Sequence, residues 1–290
     1  MSLFSGKEQK ADRQENGKSD KFKLPDVHIH LIIPLSSTIQ FDAANFEQRY
    51  LSRWNSKMIC KKAELPTEYP YRSEKFLFGD GRNQGIITYI DGPMDEGLLG
   101  ICLNETKLLS PSSTEVLEKH RAHMLVEYLF GGESALERVR CAAKVLLTII
   151  ESNQSIGVFN FSGQMFRTKN WINSFFKDSK ILDSLEIPAL YFLFTGVQIE
   201  INGQYWVHTH GMEQFELPDM EIRVMSENEI NYCKGLLFES ICHNIENNGI
   251  FKPGDTFEMK GDDKIYRFKE SEDLPDHPYG QFGSIEFKLK

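Results

Sequence analysis

No CxxC pair occurs among the five cysteines of this 290-residue chain, and their number is odd. That argues against a disulfide framework and a paired-thiolate zinc knuckle, and predicts buried free thiols in a reducing compartment, the cytoplasm. No window approaches the ~20 consecutive apolar residues a membrane helix needs. Residues 1–24 lack an apolar segment of signal-peptide length and mix both charges, so a disordered leader is expected there. Arginine-rich runs are also missing. The formal net charge is −9, which opposes binding to nucleic-acid phosphates or anionic lipid, since lysine and arginine drive such binding.

Chemical motifs are equally scarce. "FGDGRNQG" (78–85) lacks the Lys-Ser/Thr of a phosphate loop and stands ahead of a strand, so a hairpin turn is the reading. Ser162 in "FSG" is not within a nucleophile elbow. Cys242 and His243 are neighbours on a helix and do not face each other.

What the chain does have is core material and clear periodicity. Forty per cent of its residues are hydrophobic, with 21 phenylalanines, enough to build a sizeable core. "DVHIHLIIPL" (26–35) alternates as a strand, with His28 and His30 opposite an apolar face. A helix is predicted near 41–55, a hairpin over 74–93, irregular chain over 94–112, a short helix near 112–119 and a strand over 121–130. Ser134 and Glu137 form a capping box ahead of a stripe running from Leu136 to Ile150. A strand at 155–163, a Thr168-capped helix at 168–179 and a long buried strand at 187–201 follow. Asn202-Gly203 signals a two-residue hairpin turn. That register sets Ile199 against Trp206, Val197 against His208 and Thr195 against His210. A strand at 219–225 precedes a helix that starts at the Ser226/Glu229 box and ends at Asn248-Gly249, and the tail reads as a hairpin.

These elements predict an α+β protein: two linked units of antiparallel sheet with helices packed on one face, loosely ferredoxin-like. The units are 25–111 and 112–290.

The candidate chemistry centres on "YWVHTHGMEQFELPDMEI". His208 and His210 stand two apart on a strand, so both imidazoles point the same way and could reach one transition metal with Glu213 as third ligand. Glu221 and the His28/His30 pair are further third-ligand candidates. The deduced register opposes this, because it puts both rings beside Val197, Ile199 and Trp206 on a packed face. His120 and His123 point to opposite faces of their strand. Asp219, Glu221 and Arg223 alternate on one strand face and are expected to form an exposed charged surface for a protein partner.

The order "EKHRAHMLVEYL", "SIGVFNFSGQMF", "YWVHTHGMEQFELPDMEI" and "FKPGDTFEM" resembles a bacterial family labelled DUF4261, over roughly 115–290. The resemblance implies a fold and a bacterial cytosolic setting. It brings no catalytic residue and no cofactor. The leading functional expectation is a non-enzymatic protein-interaction module. The alternatives are a metal-dependent hydrolase using His208, His210 and a carboxylate, and a toxin-neutralising immunity-type protein whose acidity suits a basic partner.

Overall fold

The computed structural model describes residues 29–65, 69–105, 111–152, 154–176, 185–201, 203–247, 249–259, 261, 264–270 and 284–289. His28, Asn202, Asn248 and residues 1–24, where a leader is expected, lie outside the described residues. In chain order the first elements are β1 (Ile29–Leu35), α1 (Ala43–Trp54), β2 (Ile59–Ala63), β3 (Ser73–Gly79), β4 (Asn83–Ile90), α2 (Glu96–Glu105), α3 (Pro111–Glu118), β5 (Ala122–Gly131) and α4 (Ala135–Ser152). Then come β6 (Gly157–Asn160), β7 (Met165–Thr168), α5 (Lys169–Phe176), α6 (Ile187–Phe194), β8 (Gly196–Ile201) and β9 (Tyr205–His210). The last are β10 (Asp219–Val224), α7 (Ile230–Asn247), β11 (Thr256–Glu258), β12 (Ile265–Glu270) and β13 (Ser284–Leu289). The class is α+β. Among the described residues no helix is long and apolar enough to cross a membrane.

The first sheet has seven strands in the order β2-β3-β4-β5-β1-β6-β7, every pair antiparallel. β1 and β4 therefore run parallel on either side of β5, and β5 and β6 on either side of β1. The helices α1 and α4 lie in these two crossovers. Asp42 starts α1 by accepting the Ala44 and Asn45 N–H groups at 3.0 and 3.1 Å, and Phe46 and Tyr50, one turn apart, are buried. The α4 box forms. Glu137 N–H donates to Ser134 Oγ at 3.3 Å, and the Glu137 carboxylate accepts Glu133 N–H at 2.7 Å. Thr148 on α4 accepts the Trp54 indole N–H at 3.1 Å, tying the two helices together.

Alternate residues of β1 serve different cores. Ile29, Leu31, Ile33 and Leu35 pack with α1 and α4. Ile32 packs with Cys102 of α2, Leu117 of α3, Phe159 and Phe166. Successive strand side chains point to opposite faces, so helices cover both faces of this sheet rather than one.

The second sheet runs β11-β12-β13-β10-β9-β8. β10 and β13 are parallel, so the expectation of a wholly antiparallel sheet is corrected here. Val207, Met220 and Ile222 of this sheet join Leu236, Leu237 and Ile241 of α7 in the same continuous core as β1 and α4. Nor do the sheets divide near 112. β5, β6 and β7 follow that point in sequence yet complete the first sheet, because the crossovers return them to the flanks of β1.

Two local readings are overturned. Residues 187–194 form a helix instead of the first half of a long strand. Six of its eight residues are buried, and an element that is apolar all round shows no period to tell helix from strand. Residues 96–105 are helical, not irregular, with Asp95 accepting Leu98 N–H at 2.8 Å. All five cysteines are free; Cys60, Cys102, Cys141 and Cys233 are buried, and Cys242 is half-buried.

Candidate functional site

The β8–β9 hairpin closes one residue later than a two-residue turn allows. Ile201 pairs with Tyr205, Ile199 with Val207, Gln198 with His208 and Gly196 with His210. A one-residue slip moves every side chain to the other face. Val197 and Ile199 therefore share the α7 side with Val207, and His208 and His210 share the opposite side with Trp206 and Gln198. The expected grouping of the histidines with Val197 and Ile199 is corrected by this register.

Both histidines are nonetheless buried. His208 stacks on Trp206 with ring centres 4.4 Å apart and meets His210 edge-on at 4.7 Å. Glu221 pairs with His208 across the strands and is 0% exposed. It accepts the Trp206 indole N–H at 2.9 Å and lies 3.5 Å from the Arg223 guanidinium. Asp219 and Glu221 thus do not form the exposed charged surface that strand alternation predicts, and Arg223 is half-buried. Alternation tells which residues share a face; it does not tell whether that face is covered.

Beside this stack two carboxyl groups are sealed in. Asp219 accepts the Thr209 hydroxyl at 3.0 Å and the Met212 N–H at 3.4 Å. Burial first, and then the neighbouring Glu213 charge, push its pKa well above the ordinary carboxylate range. Burial also raises Glu213, against a hydrogen bond to Ser162. Burial and mutual repulsion both oppose ionising the two carboxyls together. Among the described residues Glu213 Oε2 has no hydrogen-bond partner.

Glycines let the backbone close over this region. A Cβ on Gly196 would stand 2.0 Å from the Gly163 carbonyl oxygen, and one on Gly211 would stand 2.6 Å from that of Phe194. Gly211 also has φ +94, a conformation open chiefly to glycine. Gln214 then spans the gap. Its amide donates to Phe194 O at 2.9 Å and accepts from Asn160 of β6 at 3.1 Å. Sequence reasoning missed Asn160 and Gln214, because neither stands in a motif and only the fold brings them together.

Among the described residues no group of three or more His, Cys, Asp and Glu side chains is placed to hold a metal ion. His208, His210 and Glu213 are therefore not gathered into a ligand set. His120 and His123 serve the fold. His120 accepts Met94 N–H at Nε2 (2.7 Å), so its Nδ1 donates to Leu117 O at 2.7 Å, while His123 Nδ1 lies 2.9 Å from Gly92 O. Burial lowers both pKa values and favours neutral rings.

His30 lies on the first sheet, at an open cleft of about 340 Å³ between β1, β5 and α2. Its Nδ1 is 3.7 Å from Glu127 Oε1 on the paired strand. Ile32, Leu98, Ile101, Leu125 and Phe161 make the apolar wall, with Tyr69 and Asp95 at its border. Ile101 and Tyr69 are exposed, at 42% and 38%. The sequence marked His30 but not the cleft, because α2 was not recognised as a helix.

A family model described as "Domain of unknown function (DUF4261)" matches residues 208–279. The matched segment begins at the stacked histidine of β9 and falls inside the stretch where the resemblance was seen. No match was found to a curated protein or to a solved structure.

Proposed function

We propose that this chain is a protein-binding module whose seat is the cleft between α2 and the β1/β5 pair. Its partner is a basic segment carrying one apolar anchor side chain. The observation that carries this reading is the composition of the cleft: among the described residues an aliphatic and aromatic wall with Asp95 and Glu127 as its carboxylates and His30 beside them. Concave apolar surface with a few convergent polar groups is the usual form of a binding site. Two carboxylates at the mouth, in a chain of net charge −9, favour a cationic partner and disfavour an acidic one.

The test is a fluorescence titration with short peptides that carry one leucine or phenylalanine among lysines, against matched peptides with glutamates. Preferential, salt-sensitive binding of the basic set, weakened by Ile101→Ser and by Glu127→Gln, is the expected result. Equal binding of both sets, or unchanged binding by the two variants, sinks the reading.

A further inference from the structure

A second cavity lies on the other face of the first sheet and has the opposite electrostatic character. It measures about 230 Å³ and is bounded by the end of α1, the β3–β4 turn and one side of α4. Glu137, Arg140, Cys141 and Lys144 are spaced i, i+3, i+4 and i+7, so they share one face of α4, and all four line the cavity. Arg82 enters from the turn, and Tyr50 and Ser56 close the α1 side.

The carboxylates here are committed to the backbone. Asp80 accepts Arg82 N–H at 2.9 Å, Asn83 N–H at 2.8 Å and the Asn83 side-chain amide at 2.9 Å. Glu137 holds Glu133 N–H in the α4 cap. The cations are less committed. Arg82 reaches Glu133 only at 3.9 Å, with both side chains largely in solvent, a geometry of little energetic weight. Arg140 donates to the Leu185 carbonyl at a long 3.4 Å, and the Lys144 ammonium lies 5.8 Å over the Trp54 ring. Among the described residues neither Arg140 nor Lys144 has a carboxylate within ion-pair distance.

The floor is neutral and polar. Tyr128 donates its hydroxyl to Asn83 Oδ1. The Cys141 thiol hydrogen-bonds with the hydroxyls of both Tyr50 and Tyr128. Burial pushes this thiol up to about 12, so it stays protonated and is not a nucleophile. Ser56 adds a hydroxyl at the rim. The cavity is thus lined by two arginines, a lysine and a hydroxyl, with the Asp80 and Glu137 carboxylates already engaged by N–H donors. Several cationic donors converging on one polar hollow suit a compact dianion with many oxygen acceptors better than a single carboxylate.

We propose that this cavity is a binding site for a phosphoryl group, either as inorganic phosphate or as the head of a small phosphomonoester. It stands apart from the acidic cleft and adds a small-molecule ligand to a protein-binding chain.

The test is calorimetric titration of the full chain at constant ionic strength with inorganic phosphate, glycerol 3-phosphate and acetate, followed by amide NMR mapping. Saturable binding of phosphate, the ester or both, with shifts centred on 82–83, 132 and 137–144, is the expected result. The arm that binds more tightly identifies the source. Removing one cation should weaken binding roughly tenfold. Arg140→Gln and Lys144→Gln serve as variants, with Arg82→Gln as a solvent-facing one that keeps the fold. Acetate binding as tightly as phosphate, no saturation in any arm, or full affinity in Arg82→Gln and Lys144→Gln would overturn the assignment.

Discussion

Thr209 donates its hydroxyl to Asp219 at 3.0 Å and accepts the Met220 N–H at 2.9 Å on the same oxygen. This one side chain fixes the buried carboxyl beside Glu213 and joins β9 to the start of β10. The carboxyl pair is a source of pH dependence. A carboxyl whose folded-state pKa is raised binds more protons folded than unfolded. Its contribution is complete below the unfolded value of ~4 and is lost as pH rises toward the folded value. Asp219→Asn keeps the acceptor oxygen and removes the ionisation. Its melting temperature relative to the natural chain should rise between pH 4 and pH 8. A difference that stays constant across that range counts against the raised Asp219 pKa.

Glu74 works in the reverse sense. It is buried and takes Lys62 and Arg72 at 2.9 Å and the Gln40 amide at 3.1 Å. Lys62 above all, then Arg72 and Gln40, hold its pKa down to about 2 against the effect of burial. Its stabilisation is present above the unfolded pKa and disappears as pH falls through about 2. Because Lys62 and Arg72 are mostly exposed, Glu74→Gln should cost about 1–2 kcal/mol at pH 7. Urea titrations at pH 7 and pH 2 should show that loss at the first and not at the second.

Two glycine-to-alanine changes should have opposite signs. At Gly196 the new methyl meets the Gly163 backbone carbonyl of the β6–β7 turn at 2.0 Å, a backbone atom that cannot swing aside like a side chain, so a loss of about 2–4 kcal/mol is expected. At Gly235, inside α7, nothing lies within 4 Å, and alanine should add about 0.5–1 kcal/mol through helix propensity. Denaturant midpoints of the two variants check both signs.

The hairpin register can be read chemically. Ile199 pairs with Val207, so Ile199→Cys with Val207→Cys should cross-link on oxidative refolding. Ile199→Cys with Trp206→Cys should not, since those side chains lie on opposite faces. Mass analysis of the two double variants distinguishes them, and cross-linking of the second alone would restore the two-residue turn.

Parts of the candidate sites were legible and parts were not. The capping residues Ser134 and Thr168 stand where the pattern put them, Thr168 accepting Trp171 N–H at 3.0 Å. The histidines of β9 were visible, yet their surroundings were not, because one extra turn residue exchanges the two faces of β8. Glu213 was marked only as a metal ligand. Its partnership with Asp219, six residues on, depends on the 3-10 turn at Met212–Phe215, which no sequence period announces. The cationic face of α4 is not legible in sequence, because an apolar stripe shows which side of a helix is buried and not what the β3–β4 turn brings to the other side.

The sequence by itself determined the class, the free thiols and most helix starts, because caps and periodic burial are properties of neighbouring residues. Only the tertiary structure decided that strands beyond residue 112 complete the first sheet, that 187–194 is a helix, and that Asp219 and Glu221 are buried. Each of those depends on which distant surface comes to cover a segment, and strand pairing and helix docking are set by contacts across the fold.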